Sequence, residues 1–181
     1  MLTSNKYKVF QGIAILFALL TFVSLFLPAF FVDTGETYTL FNLMFGNEKA
    51  SFQPAMVIGF IVLILGILAD IAIISLTFLN KINEKLGTIL AISAGVALLA
   101  GGILLGVGPF YQNGIISAMD SELGFTQGQW GFQVGMFLTI VSSLISTAMN
   151  YPTAMIILHR KDLEDKQRKL AKQNSDITLG K

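Results

Sequence analysis

Apolar residues along this chain gather in four long blocks, 9–27, 55–79, 89–107 and 132–158, with polar and turn-forming residues between them. Each block is about 19 residues or longer, and crossing the roughly 30 Å hydrocarbon core of a bilayer takes about 20 residues of helix. The pattern predicts an all-α integral membrane protein, an antiparallel four-helix transmembrane bundle. Lys6 and Lys8 precede the first block, as basic residues precede a signal peptide. The block is longer than the usual apolar core of such a peptide, however, and it runs into Leu27-Pro28-Ala29-Phe30-Phe31 without a small-x-small cleavage site. It reads as an uncleaved first span.

Composition supports the pattern. Of 181 residues, 54% are hydrophobic and 13% charged, against about 25% charged in a soluble domain. A soluble globule is excluded. Charge then sets the orientation. Eleven of the twelve Lys and Arg residues fall in the N-terminal segment, the 80–87 connection and the tail, which share one side of a four-span chain; only Lys49 lies on the other. The positive-inside rule places that side, with both termini, in the cytoplasm of a multi-pass plasma-membrane protein. The overall charge of +1 gives no reason to expect nucleic acid.

The connections divide the chain into a four-span domain, 1–158, and a basic cytoplasmic tail, 159–181. Two outer segments, 28–54 and 108–131, are too long to lack structure of their own and are expected to form a small extracellular cap. Phe30-Phe31-Val32 and Thr37-Tyr38-Thr39-Leu40-Phe41 are β-rich runs around the turn residues Asp33-Thr34-Gly35-Glu36, which predicts a β-hairpin. Gly46-Asn47 marks a second turn. Asn113 is placed to cap a short helix over 114–123, and Trp130 to anchor the fourth span at the interface. In the tail, Asp162–Lys166, Glu164–Arg168 and Asp165–Lys169 are acid-before-base pairs four apart, which favours a helix continuing the fourth span.

Within the spans, small and polar residues recur at helical spacing. The third carries Gly87, Ala91, Gly95, Gly101, Gly102 and Gly106; the fourth carries Gly135, Thr139, Ser142, Ser146, Asn150 and Thr153; the first carries Gln11, Ala14, Ala18 and Thr21. Such faces let helix backbones approach closely. Asp70 is the one acid inside a block. A charged, unpaired carboxylate in a bilayer costs several kcal/mol. Counted from the middle of each block, Asp70, Ser93 and Asn150 fall at similar depth and form a candidate intramembrane polar cluster, with Asp70 protonated, bonded to its neighbours, or met by water or a cation.

Other chemistry is scarce. There is no Cys and one His, His159, which excludes disulfides, thiolate metal sites, Cys nucleophiles and bis-histidine haem ligation. No catalytic constellation, phosphate loop or metal-ligand spacing stands out. The expectation is a non-enzymatic protein with no cofactor and no metal.

Four spans, cytoplasmic termini, a first outer loop opening as a hairpin and a second that extends the third span resemble the claudin-like tetraspan proteins across most of the chain. The claudin signature of Trp, Gly-Leu-Trp and two Cys is replaced here by Phe41-Asn42-Leu43-Met44-Phe45-Gly46, so no claudin residue role carries over. The Cys-free, Lys/Asn/Ile-rich vocabulary is similar to that of small bacterial, Gram-positive tetraspans. The expected function is interaction, with the cap recognising a membrane-protein partner or external ligand. The partners are the lipid bilayer and another membrane protein or a second copy. The alternative is a small transporter or channel subunit using Asp70.

Overall fold

The computed structural model describes residues 6–32, 37–46, 52–79, 81–119 and 130–159, and in the tail 165–166, 168–171 and 173–174. Its elements are α1 (Lys6–Ser24), β1 (Pro28–Val32), β2 (Thr37–Thr39), α2 (Leu40–Phe45), α3 (Pro54–Phe78), α4 (Glu84–Met119), β3 (Trp130–Phe132) and α5 (Val134–Leu158). α1, α3, α4 and α5 each contain a stretch long and apolar enough to cross a membrane.

Local chemistry sets the ends of these helices. After α1, the N–H groups of Leu25, Phe26 and Leu27 reach back three residues to the carbonyls of Phe22, Val23 and Ser24. This tightened turn stops at Pro28, which has no N–H to offer. Pro54 opens α3 at a position where its missing donor costs nothing. The Asn83 side chain caps α4 by accepting from the Leu86 N–H at 2.7 Å. α5 runs unbroken through Pro152.

Around the core, α3 packs along α4, α4 along α5 and α5 along α1, while α1 meets α3 only sparsely. Each pair runs antiparallel. A Cβ on Gly59 would meet Leu104, and one on Gly66, later in α3, would meet Leu98, earlier in α4. A Cβ on Gly102 would meet Ser143, and one on Gly95 would meet Asn150. The small residues of α4 therefore face α3 and α5 within this one chain.

Where α1 ends and α5 begins, a three-stranded antiparallel sheet forms in the order β2-β1-β3. Phe30 sits opposite Tyr38 on one side and Phe132 on the other. The hairpin pairing is present, and its 33–36 turn lies outside the described residues. The second run does not stay extended through Phe41. Thr39 turns its hydroxyl onto the Asn42 N–H at 3.0 Å and starts α2, and helical spacing then buries Leu40, Leu43 and Met44 on one face. Gly46 closes α2 at φ 75°, a conformation that side chains with a Cβ disfavour. Asn47 lies outside the described residues.

The second outer segment also departs from expectation. Asn113 opens no new helix, because α4 continues through it to Met119. Residues 120–129 lie outside the described residues. Trp130 begins β3, opposite Val32. In the tail, His159 is a turn residue, the described residues from 165 onward are helical, and 160–164, where the fourth span is expected to continue, lie outside the described residues.

Two apolar clusters fill the interior. The larger, near the sheet, includes Leu25, Phe30, Leu40, Met44, Met56 and Leu105. The smaller, at the other end, gathers Tyr7, Ile73, Ala91, Ala154 and Ile157. A chain of rings joins α3, α1 and α2: Phe60–Phe22 at 6.3 Å, Phe22–Phe26 at 5.6 Å, Phe26–Phe41 at 5.0 Å and Phe41–Phe45 at 5.0 Å between centroids. The spacing suits edge and offset contacts.

The close approach of α3 and α4 is directly testable. A Cβ on Gly101 would lie 2.8 Å from the Gly59 carbonyl oxygen and 2.9 Å from the Leu63 nitrogen, both backbone atoms that cannot swing aside. Gly101→Ala should destabilise by about 1–3 kcal/mol. Gly12 has nothing within 4 Å, so Gly12→Ala should be neutral or stabilising by up to about 1 kcal/mol. Unfolding of the two variants in one detergent checks the contrast; equal effects would remove the close-packing argument.

Candidate functional site

The inward face of α5 is a continuous strip of Gly135, Thr139, Ser142, Ser146, Asn150 and Thr153, all buried. α1 presents Ser24, Thr21, Ala14 and Gln11 to it, also buried. Ser24 and Thr139 share a hydroxyl hydrogen bond of 2.7 Å, Thr21 and Ser142 one of 2.8 Å, and the Ser146 hydroxyl donates to the Ala14 carbonyl at 2.7 Å. Each hydroxyl has one proton, so in each pair one member donates across to its partner while the other donates to a carbonyl of its own helix: Ser24 to Thr21 or Thr139 to Gly135, and Thr21 to Phe17 or Ser142 to Leu138. The α1–α5 interface is thus stitched by hydroxyls where a soluble bundle would place leucines.

This seam ends on Asp70. The carboxyl is fully buried. Gln11 Nε2 donates to Asp70 Oδ1 at 2.8 Å and lies 3.4 Å from the Asp70 carbonyl oxygen. Asn150 Nδ2 donates to Oδ2 at 3.3 Å and to the Ser146 carbonyl at 3.3 Å. Three helices meet on one side chain. Two acceptors remain over, because Gln11 Oε1 and Asn150 Oδ1 are buried with no hydrogen-bond partner among the described residues.

Of the three residues expected to cluster, Asp70 and Asn150 meet. Ser93 does not, since it is exposed on α4. The buried face of that helix runs through Ala91, Ala94, Gly95 and Leu98, and at 100° per residue Ser93 projects away from it. Gln11 takes its place. The helix midpoints are Ile15 in α1, Gly66 in α3 and Ser146 in α5, so Gln11, Asp70 and Asn150 each stand about four residues, roughly 6 Å, from the middle of their helix toward the same end. The inward-facing run Gln11, Ala14, Ala18, Thr21 carried the signal. It was masked because the apolar block begins at Val9 whereas the helix begins at Lys6.

Toward the same end, a cavity of about 110 Å³ opens between α1 and α3, lined by Tyr7, Lys8, Gln11, Ile74, Thr77 and Phe78. Tyr7 Oη donates to Thr77 Oγ1 at 3.5 Å. Gln11 therefore has the cavity on one side and Asp70 on the other. Among the described residues no three His, Cys, Asp or Glu side chains converge as a metal site.

The node makes a prediction about stability. In Asp70→Asn, the new amide can still accept from Gln11 and can donate to the unpartnered Asn150 Oδ1, with no buried charge; the variant should be as stable as the parent or more so. Asn150→Leu removes one of the two donors to a buried carboxyl and should cost about 1–2 kcal/mol. Reversible unfolding of both variants decides the order, and a destabilised Asp70→Asn would contradict it.

No family model, curated protein or solved structure matches the chain.

Proposed function

We propose that this chain is a multi-pass membrane protein that acts by interaction rather than catalysis, and that the end built from β1, β2, β3 and α2 is its recognition surface. The membrane reading is supported by an inverted distribution of polarity. Leu16, Ile58, Leu65, Val96, Ile103 and Phe137 are exposed, while Thr21, Asp70, Ser142, Ser146 and Asn150 are buried. Water would leave that exterior unsolvated, whereas lipid suits it. Basic residues on the two termini and the 80–87 connection favour a cytoplasmic position for that side and hence an extracytoplasmic cap.

The observation that carries the recognition reading is the construction of the cap. β1 and β3 come from segments about 100 residues apart and pair over three positions. Gln133 N–H donates to the Ala29 carbonyl at 2.9 Å, and a Cβ on Gly135 would lie 2.6 Å from the Leu27 carbonyl oxygen, so sheet and helix ends pack directly against each other. Phe31 and Phe45 of that end, and Phe52 just before α3, are exposed. Rigid, exposed aromatics suit recognition because they bury large area at small entropic cost. The expected partner is another membrane protein or an external ligand.

Two measurements test this. A reporter fused after Lys181 should read cytoplasmic and one inserted near Gly35 extracytoplasmic; the reverse pattern would overturn the orientation. A photocrosslinker at Phe45 or Phe52 in native membranes should give a discrete adduct that Phe31→Ser weakens severalfold without loss of folded protein. No adduct from either position would overturn the recognition role.

A further inference from the structure

We propose that Asp70, Gln11 and Asn150 form a binding site for a monovalent alkali cation of sodium type, entered from the cavity between α1 and α3. Charge is the first reason. Asp70 is fully buried, and the two side chains that hold it are both neutral amides. An ionised carboxylate there has its hydrogen bonds but no counter-charge, which is a costly arrangement. One positive charge cancels it; a divalent ion would reverse the imbalance.

The second reason is the supply of oxygen. Gln11 and Asn150 are each 1% exposed, yet Gln11 Oε1 and Asn150 Oδ1 have no partner among the described residues. A terminal amide presents N–H on one side and C=O on the other, and a half-turn exchanges them. With N–H inward the pair serves a bare carboxylate. With C=O inward, two carbonyl oxygens join the two carboxylate oxygens around a common centre. Such a set of hard oxygens replaces the hydration shell of an alkali ion, as carbonyls do in ion-selective pores. The half-turn moves no backbone, so the three helices stay in contact in both states.

Access is the third reason. Gln11 forms part of the wall of the cavity, whose volume of about 110 Å³ gives an ion room beside it although most of the lining is apolar. Tyr7 and Thr77 supply hydroxyls along it. An ion that enters there meets a side chain that already touches Asp70. Lys8, also on the lining, is exposed, where solvent screens its charge.

This site is independent of the cap's recognition role, and its test leaves the cap unaltered. The full chain is reconstituted in zwitterionic nanodiscs at constant ionic strength, with choline chloride exchanged stepwise for sodium, potassium or lithium chloride. The unfolding midpoint of the parent protein should rise with the logarithm of sodium concentration and stay flat in choline. Asp70→Asn, expected to stay folded, should lose the response. Gln11→Leu should weaken apparent sodium affinity by about tenfold or more, since loss of even outer-shell partners costs that much at metal sites. Identical midpoints in sodium and choline would overturn the site, as would an equal rise in Asp70→Asn. A midpoint that follows pH alone, alike in every salt, would assign the position to a proton and also overturn it.

Discussion

One buried carboxyl holds three helices together. Gln11 from α1 and Asn150 from α5 reach Asp70 on α3, and without them α1 would touch α3 at few other points. The remaining contacts are arranged around that junction. Hydroxyl pairs carry α1 along α5 above it, and the glycines of α4 bring α3 and α5 close behind it. Interior polarity of this kind works where the exterior is apolar, because an unmade hydrogen bond then has no solvent to fall back on.

The same constraint explains the division of the interior. Apolar packing is concentrated near the sheet, where Leu25, Leu40, Met44 and Leu105 interlock, with a smaller apolar group at the far end. Between them the chain uses threonine, serine and amides. Each of these hydroxyls can give its one proton either across the interface or to a carbonyl three or four residues back in its own helix, so Thr21, Ser24 and Thr139 keep a partner when their helices separate. Asp70 has no such local escape.

The four long helices and the meeting of Asp70 with Asn150 were legible in the sequence because they rest on block length and 3.6-residue spacing. Ser93 was misplaced because depth along a helix says nothing of azimuth, and the buried stripe Ala91, Ala94, Leu98 passes it by. Gln11 lay on a recognised face but at a misjudged depth, since the helix begins three residues before the apolar block. The β-rich run extends over Leu40 and Phe41, where the Thr39 hydroxyl instead caps the first turn of α2. β3 has only three residues, too few for any periodicity, and it exists because β1 offers it an edge.

The pairing of α1 with α5 has a consequence for how the chain is made. The principal neighbour of the first helix is the last of the four, and about 110 residues separate the end of α1 from the start of α5. At the roughly 5–20 residues per second of synthesis, α1 waits on the order of 5–20 s before that surface emerges. Throughout that interval Gln11 can find Asp70 only once α3 has followed, and the hydroxyls of Thr21 and Ser24 must turn inward on their own helix. Assembly is therefore ordered from the middle outward: α3 and α4 form a hairpin across a short connection, and α1 is kept nearby by the Gln11 amide, the Tyr7–Thr77 hydrogen bond and the Phe22–Phe60 contact until α5 arrives to close the ring.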